Sequence, residues 1–302
     1  MTRAISIFLT LLLLLLASCE KPKPVATGLP NRPRIVALSP AIGVILTDLQ
    51  FEHLCVGRHG FDKVLHPSIP VVGTQTEIDY EAVIQSHPTH ILTQWGSQEL
   101  PPRLVELSKT NGWKLIDSRL LTLEDIRETT IGLDKELCAA TGIAAPSAAA
   151  VRALARMDAA WTARPPGKGG FAGIGRVLLL DSAAPPAAYG PGSCHYQLLG
   201  RLGVTPAITR GSPYIQLDSE DILRIAPDAI ILIAPRAFGT PPPTSEEAEN
   251  LRRTTFAALA ALDIPAAKSA RFAIIDDPLG QIPSTAMIGL AEELASVLED
   301  FR

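Results

Sequence analysis

One local pattern occurs in each half of this chain, and it limits the folds open to it. Ile78-Asp79-Tyr80-Glu81-Ala82-Val83-Ile84 leads into His87-Pro88-Thr89-His90-Ile91-Leu92. Leu217-Asp218-Ser219-Glu220-Asp221-Ile222-Leu223 leads in the same way into Ala226-Pro227-Asp228-Ala229-Ile230-Ile231. Each copy reads as a turn, a short helix carrying a Glu, a Pro, and then an apolar strand. Between the copies lies an alanine-rich stretch, 146–162, with Pro146 suited to a first helical position. Arg164-Pro165-Pro166-Gly167 breaks it. Equivalent patterns on either side of one long helix point to two similar lobes.

The remaining periodicity agrees. Before the long helix, strand candidates at 34–38, 53–57, 70–73, 89–93 and 113–116 alternate with helices at 41–49, 79–86, 103–111 and 123–140. After it come strands at 176–180, 229–233 and 272–275, and helices at 195–202, 219–225, 254–262 and 286–298. Such alternation predicts an α/β fold with mainly parallel sheets. The expected division is an N-terminal α/β lobe over 34–145, a connecting helix over 146–164 and a C-terminal α/β lobe over 165–302, with a ligand cleft between lobes.

The N-terminus reads as a targeting segment. An apolar run of about 13 residues, 5–17, follows Arg3; a spanning helix needs ~20. A short apolar run behind a positive charge is the pattern of a secretory signal, here 1–18. Leu16-Ala17-Ser18-Cys19 resembles the lipobox of bacterial lipoproteins. The resemblance implies lipidation of Cys19 and export to a bacterial membrane, facing the periplasm or the cell surface. Stable anchoring takes more than one acyl chain. Residues 19–33 then form a proline-containing linker, starting Glu20-Lys21-Pro22-Lys23-Pro24.

A net charge of −4 with no basic run argues against nucleic acid as a partner. Beyond Cys19, the cysteines Cys55, Cys138 and Cys194 show no CxxC spacing, and Cys55 and Cys138 are expected as buried small hydrophobes. His87 and His90 have an HxxH spacing, but Pro88 between them denies a shared helix face. Cys194 and His195 are adjacent, as are Asp276 and Asp277, which turns their side chains apart. No G-x-S-x-G, Walker or G-x-G-x-x-G motif occurs. No enzyme is expected, and no intrinsic cofactor or metal.

With RIVALSP at 34–40, IDYEAVIQSHPTHILTQW at 78–95, GPGSCHYQLLGRLG at 190–203 and LDSEDILRIAPDAIIL at 217–232, the chain resembles the substrate-binding lipoproteins of bacterial ABC importers. The subclass has two lobes bridged by one rigid helix and carries vitamin B12, ferric siderophores or haem. The pattern is closest to its vitamin B12-binding members. The resemblance implies a monomer that hands a small-molecule metal chelate to an ABC permease and its ATPase. It implies that Glu81 and Glu220 dock onto that permease. It also places the cleft at the C-terminal ends of the strands, with Ser39, Pro40, Arg58, His59, Phe61, Trp95, Tyr189 and Tyr214 as candidate ligand-binding residues.

Phe61, Trp95 and Tyr214 match aromatics of the vitamin B12-binding pattern, whereas Ala187 stands where that pattern has another. Flat aromatic faces suit a corrinoid, so the expected ligand is cobalamin-like. A ferric siderophore or haem is the alternative. Ile282-Pro283-Ser284-Thr285 lacks the Arg common in siderophore carriers, while His59, Tyr189 and His195 offer axial ligands to a haem iron. The reading from another class is a surface lipoprotein that senses or scaffolds without a permease; the presence of both glutamates disfavours it.

Overall fold

Each lobe starts from a run of apolar residues entered through an arginine. Behind Arg34, Ile35–Ala37 forms β1 and is wholly buried. The computed structural model describes residues 32–74, 76–96, 99–164 and 171–302. The signal segment, Cys19 and nearly all of the linker lie outside the described residues.

The first sheet has the order β2-β1-β3-β4, with β2 Cys55–Arg58, β3 His90–Thr93 and β4 Lys114–Asp117. All its pairings are parallel. Its helices are α1 Pro40–Asp48, α2 Tyr80–Gln85, α3 Pro102–Asn111 and α4 Leu123–Thr141. The second sheet contains β5 Arg176–Ala183, β6 Pro186–Tyr189, β7 Thr205–Pro206, β8 Tyr214–Gln216, β9 Ala229–Ile233 and β10 Phe272–Ile275. Its order is β10-β9-β5-β6-β8, with β7 paired to β5. β7, β9 and β10 are parallel to their partners, but β6 runs antiparallel to β5 and β8. The second sheet is therefore mixed, and the β5–β6 hairpin carries it beyond the end of β9.

Between the sheets lies α5, Ala148–Trp161, capped by Ser147, whose side chain accepts from the N–H of Ala150. Ala149, Ala153, Met157 and Trp161 recur every fourth residue and are all buried, which gives one continuous apolar face. That face packs against α4 and against α11, Met287–Asp300. Trp161 Nε1 donates to the carbonyl of Met287 at 3.2 Å. On the other side Arg127 of α4 meets Asp158 at 2.6 Å. The main core is accordingly continuous from Ile35 and Leu46 through Met157 and Trp161 to Val177 and Leu294. Two hydrogen bonds also cross between the halves: Cys194 N–H to the backbone Leu121 O, 2.6 Å, and Leu123 N–H to the side-chain Gln197 Oε1, 2.8 Å. No described helix is long and apolar enough to cross a membrane.

The remaining helices are α6 Cys194–Arg201, α7 Ser219–Ile225, α8 Ser245–Thr255, α9 Ala257–Ala260 and α10 Pro265–Lys268. Four expectations need correction. Pro146 lies before the N-cap Ser147 and not at the first helical position, which is Ala148. Residues 70–73 form only isolated bridges, Val71 to Arg58 and Gly73 to Ile78, because Pro70 supplies no donor. The helix expected at 254–262 is divided: Phe256 is buried with φ −95 and ψ 7, ending α8 and starting α9. β6 and β8 were hidden by Pro185, Pro186 and Pro213, which read as turn rather than strand.

Candidate functional site

In the first lobe the parallel strands all deliver their C-terminal ends to one edge. Ser39, just past β1, is fully buried; it caps α1 by accepting from Ala41 N–H at 3.1 Å and donates to Gln94 Oε1 at 2.6 Å. Pro40 is the first residue of α1. At the end of β3 the loop bearing Trp95 is gripped by Asp117. Its carboxylate accepts from Thr93 Oγ1 at 2.6 Å, Trp95 N–H at 2.7 Å and Gly96 N–H at 3.0 Å. Trp95 is half-buried and held at the C-terminal end of β3.

After β2 the chain makes a tight loop. Arg58 spends its guanidinium inside that loop, on Ile69 O at 2.9 Å and Asp62 O at 3.2 Å. His59 is 3% exposed, and its Nδ1 accepts from Phe61 N–H at 3.1 Å. The neutral ring therefore carries its proton on Nε2, which is buried without a partner among the described residues. Burial lowers the His59 pKa and favours that neutral form. Phe61 stands out at 68% exposure, its ring 5.6 Å from that of His59. Asp62 is buried, accepts from Val64 and Leu65 N–H through Oδ1, and lies against Gly43 of α1. A Cβ at Gly43 would sit 1.9 Å from Asp62 Oδ2, so only glycine lets the loop close.

The second lobe offers an aromatic wall on the hairpin extension. Tyr189 at the end of β6 is 2% exposed and donates its hydroxyl to Asp181 Oδ1 at 2.7 Å. Burial first, then Asp181, push its phenol far above the usual range. One face stacks on His195, with centroids 4.0 Å apart and planes at 19°. Tyr214, paired with Tyr189 in the sheet, leans on it at 5.6 Å and 59° and is 48% exposed. Burial of its inner side, then Cys194 and Asp181, push its phenol up to about 12. Arg236 follows β9; it is held by Asp276 Oδ1 at 2.9 Å and by Thr240 O at 3.2 Å. Phe238 follows, 51% exposed. Arg236 and Phe238 lie in the loop just beyond the buried strand β9, a position at which loops after strands are expected to matter.

The paired glutamates occupy matching places. Asp79 caps α2 by accepting from Ala82 N–H, and Asp218 caps α7 by accepting from Asp221 N–H. Glu81 and Glu220 are each the second residue of their helix and exposed. Each helix closes on a residue of positive φ before a proline, His87 at 46° and Ala226 at 44°. Arg34 donates to His87 O at 2.9 Å and Ser86 O at 2.7 Å; Arg176 donates to Ala226 O at 2.8 Å. These contacts tie the C-terminal end of each helix to the start of its lobe's first strand. The N-terminal end, with its Glu, therefore points toward the edge where that lobe's strands finish.

The structure thus brings Pro40, Phe61, Trp95 and Tyr214 to strand ends with accessible surface. Ser39, His59 and Tyr189 lie beneath that surface, and Arg58 braces its own loop. His195 cannot serve as an axial ligand in this arrangement: it is fully buried and its Nε2 bonds Gly280 O at 2.9 Å. His87 is exposed, whereas His90 is buried against Glu136 at 3.3 Å, so the two form no metal pair. Cys55, Cys138 and Cys194 are free and buried. Among the described residues no group of three or more His, Cys, Asp or Glu is arranged to hold a metal ion. A cavity of about 630 Å³ is lined by α8, the outer edge of β10 with Asp276, and the C-terminal end of α11.

The fold is that of solved two-lobed binding proteins. The vitamin B12-binding protein BtuF of Vibrio cholerae is similar with a TM-score of 0.64 and 16% identity, over 89% of this chain and 97% of that one. The haem-binding protein RhuT from Roseiflexus sp. RS-1 is similar with a TM-score of 0.63 and 16% identity, over 89% and 99%. IsdE of S. aureus, solved with haem, gives 0.61 and 18% over 88% and 99%. No protein-family model matches the sequence, and no curated protein matches it.

Proposed function

We propose that this chain is the substrate-binding lipoprotein of an ABC importer, capturing a flat metal chelate between its lobes and presenting it to a permease. In this reading 34–145 and 165–302 are the lobes and 146–164 the connector. Lipidated Cys19 tethers a monomer outside the cytoplasm, and no catalytic step is involved. The observation that carries it is the exposure of Phe61 and Tyr214, 68% and 48%, one on the loop after β2 and one at the start of β8. Half-buried Trp95 adds a third aromatic, at the C-terminal end of β3. Aromatics of this size are normally buried, and exposed ones on a concave surface favour a ligand with an apolar face.

A cobalamin-like corrinoid is the first choice of ligand, because aromatic pairs contribute about 0.5–1.5 kcal/mol each beyond burial and suit a broad ring system. Haem is the second reading, because its flat ring suits the same aromatic faces. Glu81 and Glu220, one on each lobe, would meet basic residues of the permease and fix its orientation more than they add affinity.

Tryptophan fluorescence during titration with cyanocobalamin, hemin and a ferric siderophore tests this, with inner-filter controls. Saturable quenching by cyanocobalamin, absent in Trp95→Ala, is the expected result. A response to hemin or siderophore alone would replace the ligand and keep the class. No response to any of the three would sink the proposal.

A further inference from the structure

Beneath the second lobe's aromatic wall lies a buried imidazole that the ligand reading leaves without a task. His195 begins the second residue of α6 and is 0% exposed. Its Nε2 faces Gly280 O at 2.9 Å. A carbonyl only accepts, so Nε2 carries the proton, and Nδ1 is left as acceptor toward Cys194 Sγ at 3.5 Å. The tautomer is fixed, and so is the plane of the ring.

That plane is what Tyr189 rests on. Tyr189 is stacked on His195 at 4.0 Å on one side and fastened through its hydroxyl to Asp181, so its ring has no freedom to tilt. Tyr214 in turn leans on Tyr189 and is the member of the stack that reaches the surface. Its own loop is drawn tight: Gly190 N–H bonds Pro213 O at 2.8 Å, and a Cβ at Gly190 would lie 2.2 Å from Ser212 O. The two partners of the imidazole, Gly280 and Cys194, lead to two further parts. Gly280 precedes Gln281, whose Nε2 bonds both Asp181 O and Ile233 O at 2.9 Å, joining the ends of β5 and β9. Cys194, one residue before it, donates its N–H to Leu121 O of the first lobe.

We infer that His195 is a positioning residue whose ring sets the attitude of Tyr214 toward a ligand in the cleft, and that it ties this wall to the contact with the first lobe. The inference rests on the cleft reading proposed above, but its core is a statement about the free protein. A ligand that lies on Tyr214 meets a surface already fixed from below, so little ordering is needed on binding.

Three variants separate the roles of the ring. His195→Gln keeps a donor for Gly280 O and loses the flat face; His195→Phe keeps a face and loses the donor; His195→Ala loses both. In the ligand-free full-length protein, ring-proton NMR shifts of isotopically labelled Tyr214 are expected to move in His195→Ala and His195→Gln, and to return toward the wild-type position in His195→Phe. Unchanged Tyr214 shifts in folded His195→Gln would overturn the inference. Affinity for cyanocobalamin or hemin supplies the second readout. His195→Gln should weaken binding about tenfold, and the loss should be absent when Tyr214 is already Ala, since coupled residues are not additive. Independent, multiplying losses would overturn it as well. Moved Tyr214 shifts in a protein that binds neither probe would leave the inference standing and remove the ligand reading instead.

Discussion

Acid should weaken this protein in part through one residue, His195. Burial holds His195 down to about 4, against an ordinary value of 6.5, with the bond to Gly280 O opposing only part of that. Between those values an unfolded chain has this imidazole protonated while the native protein keeps it neutral. Stability then rises with pH, because the unfolded state binds the extra proton. The contribution is fully present above the unfolded value and is lost as pH falls from there toward the folded one. At about 1.4 kcal/mol for each tenfold change in proton affinity, the gap corresponds to roughly 3 kcal/mol. Urea unfolding of wild type and His195→Gln from about pH 7 to about pH 4.5 measures it. Wild type should lose up to that much more stability than the variant, with the difference opening below the ordinary imidazole value. Parallel curves for the two proteins would refute a buried neutral His195, and with it the fixed tautomer from which the stacking argument starts.

The remaining predictions use the other lobe and the frame. Burial raises the Asp62 pKa, so its contribution is complete at low pH and is lost as pH rises through the folded value, above the ordinary 3.8. Asp62→Asn should therefore melt higher than wild type at neutral pH, an advantage that disappears in acid; an equal or lower neutral Tm would contradict this. Glu81→Arg combined with Glu220→Arg should abolish ligand-stimulated ATP hydrolysis by a reconstituted partner importer while leaving cleft affinity intact, and retained stimulation would remove the docking role. Because α5 is fastened to both lobes through Arg127 and Trp161, small-angle scattering should show only a slight change on ligand binding. A large compaction would argue for a different hinge.

The parts of the fold written in local chemistry were legible in the sequence. The expected bounds of α7 and β9 match the structure because Asp218 caps the helix, the chain turns at Ala226, and Pro227 forbids a continuation. α8 was missed although Thr244 and Glu247 form a reciprocal capping box, since the helix buries none of its residues and so shows no apolar period. The site divides along the same line. That Phe61 and Trp95 follow strand ends comes from order along the chain, whereas the strand that Tyr214 begins was not legible. That His59 and His195 are buried does not, because burial depends on partners far away: the acceptor for His195 lies 85 residues on. His59, next to Gly60, looks like a solvent-facing loop residue until the fold closes over it.

The duplicated arginines explain why the repeat includes more than its glutamates. A helix of six or seven residues has little stability of its own, and an exposed Glu on a fraying helix would mark no fixed point. Here each helix is capped in front by Asp79 or Asp218 and clamped behind by Arg34 or Arg176, whose positive charge also suits the carbonyl end of the helix. The clamp comes from the residue that enters each lobe's central strand, so the carboxylate is referred directly to the sheet that carries the cleft loops. Two carboxylates fixed in this way, one per sheet, define a line whose length changes only when the lobes turn about α5. A partner that contacts both would then sense the disposition of the lobes, and through the Cys194–Leu121 contact, the state of the aromatic wall.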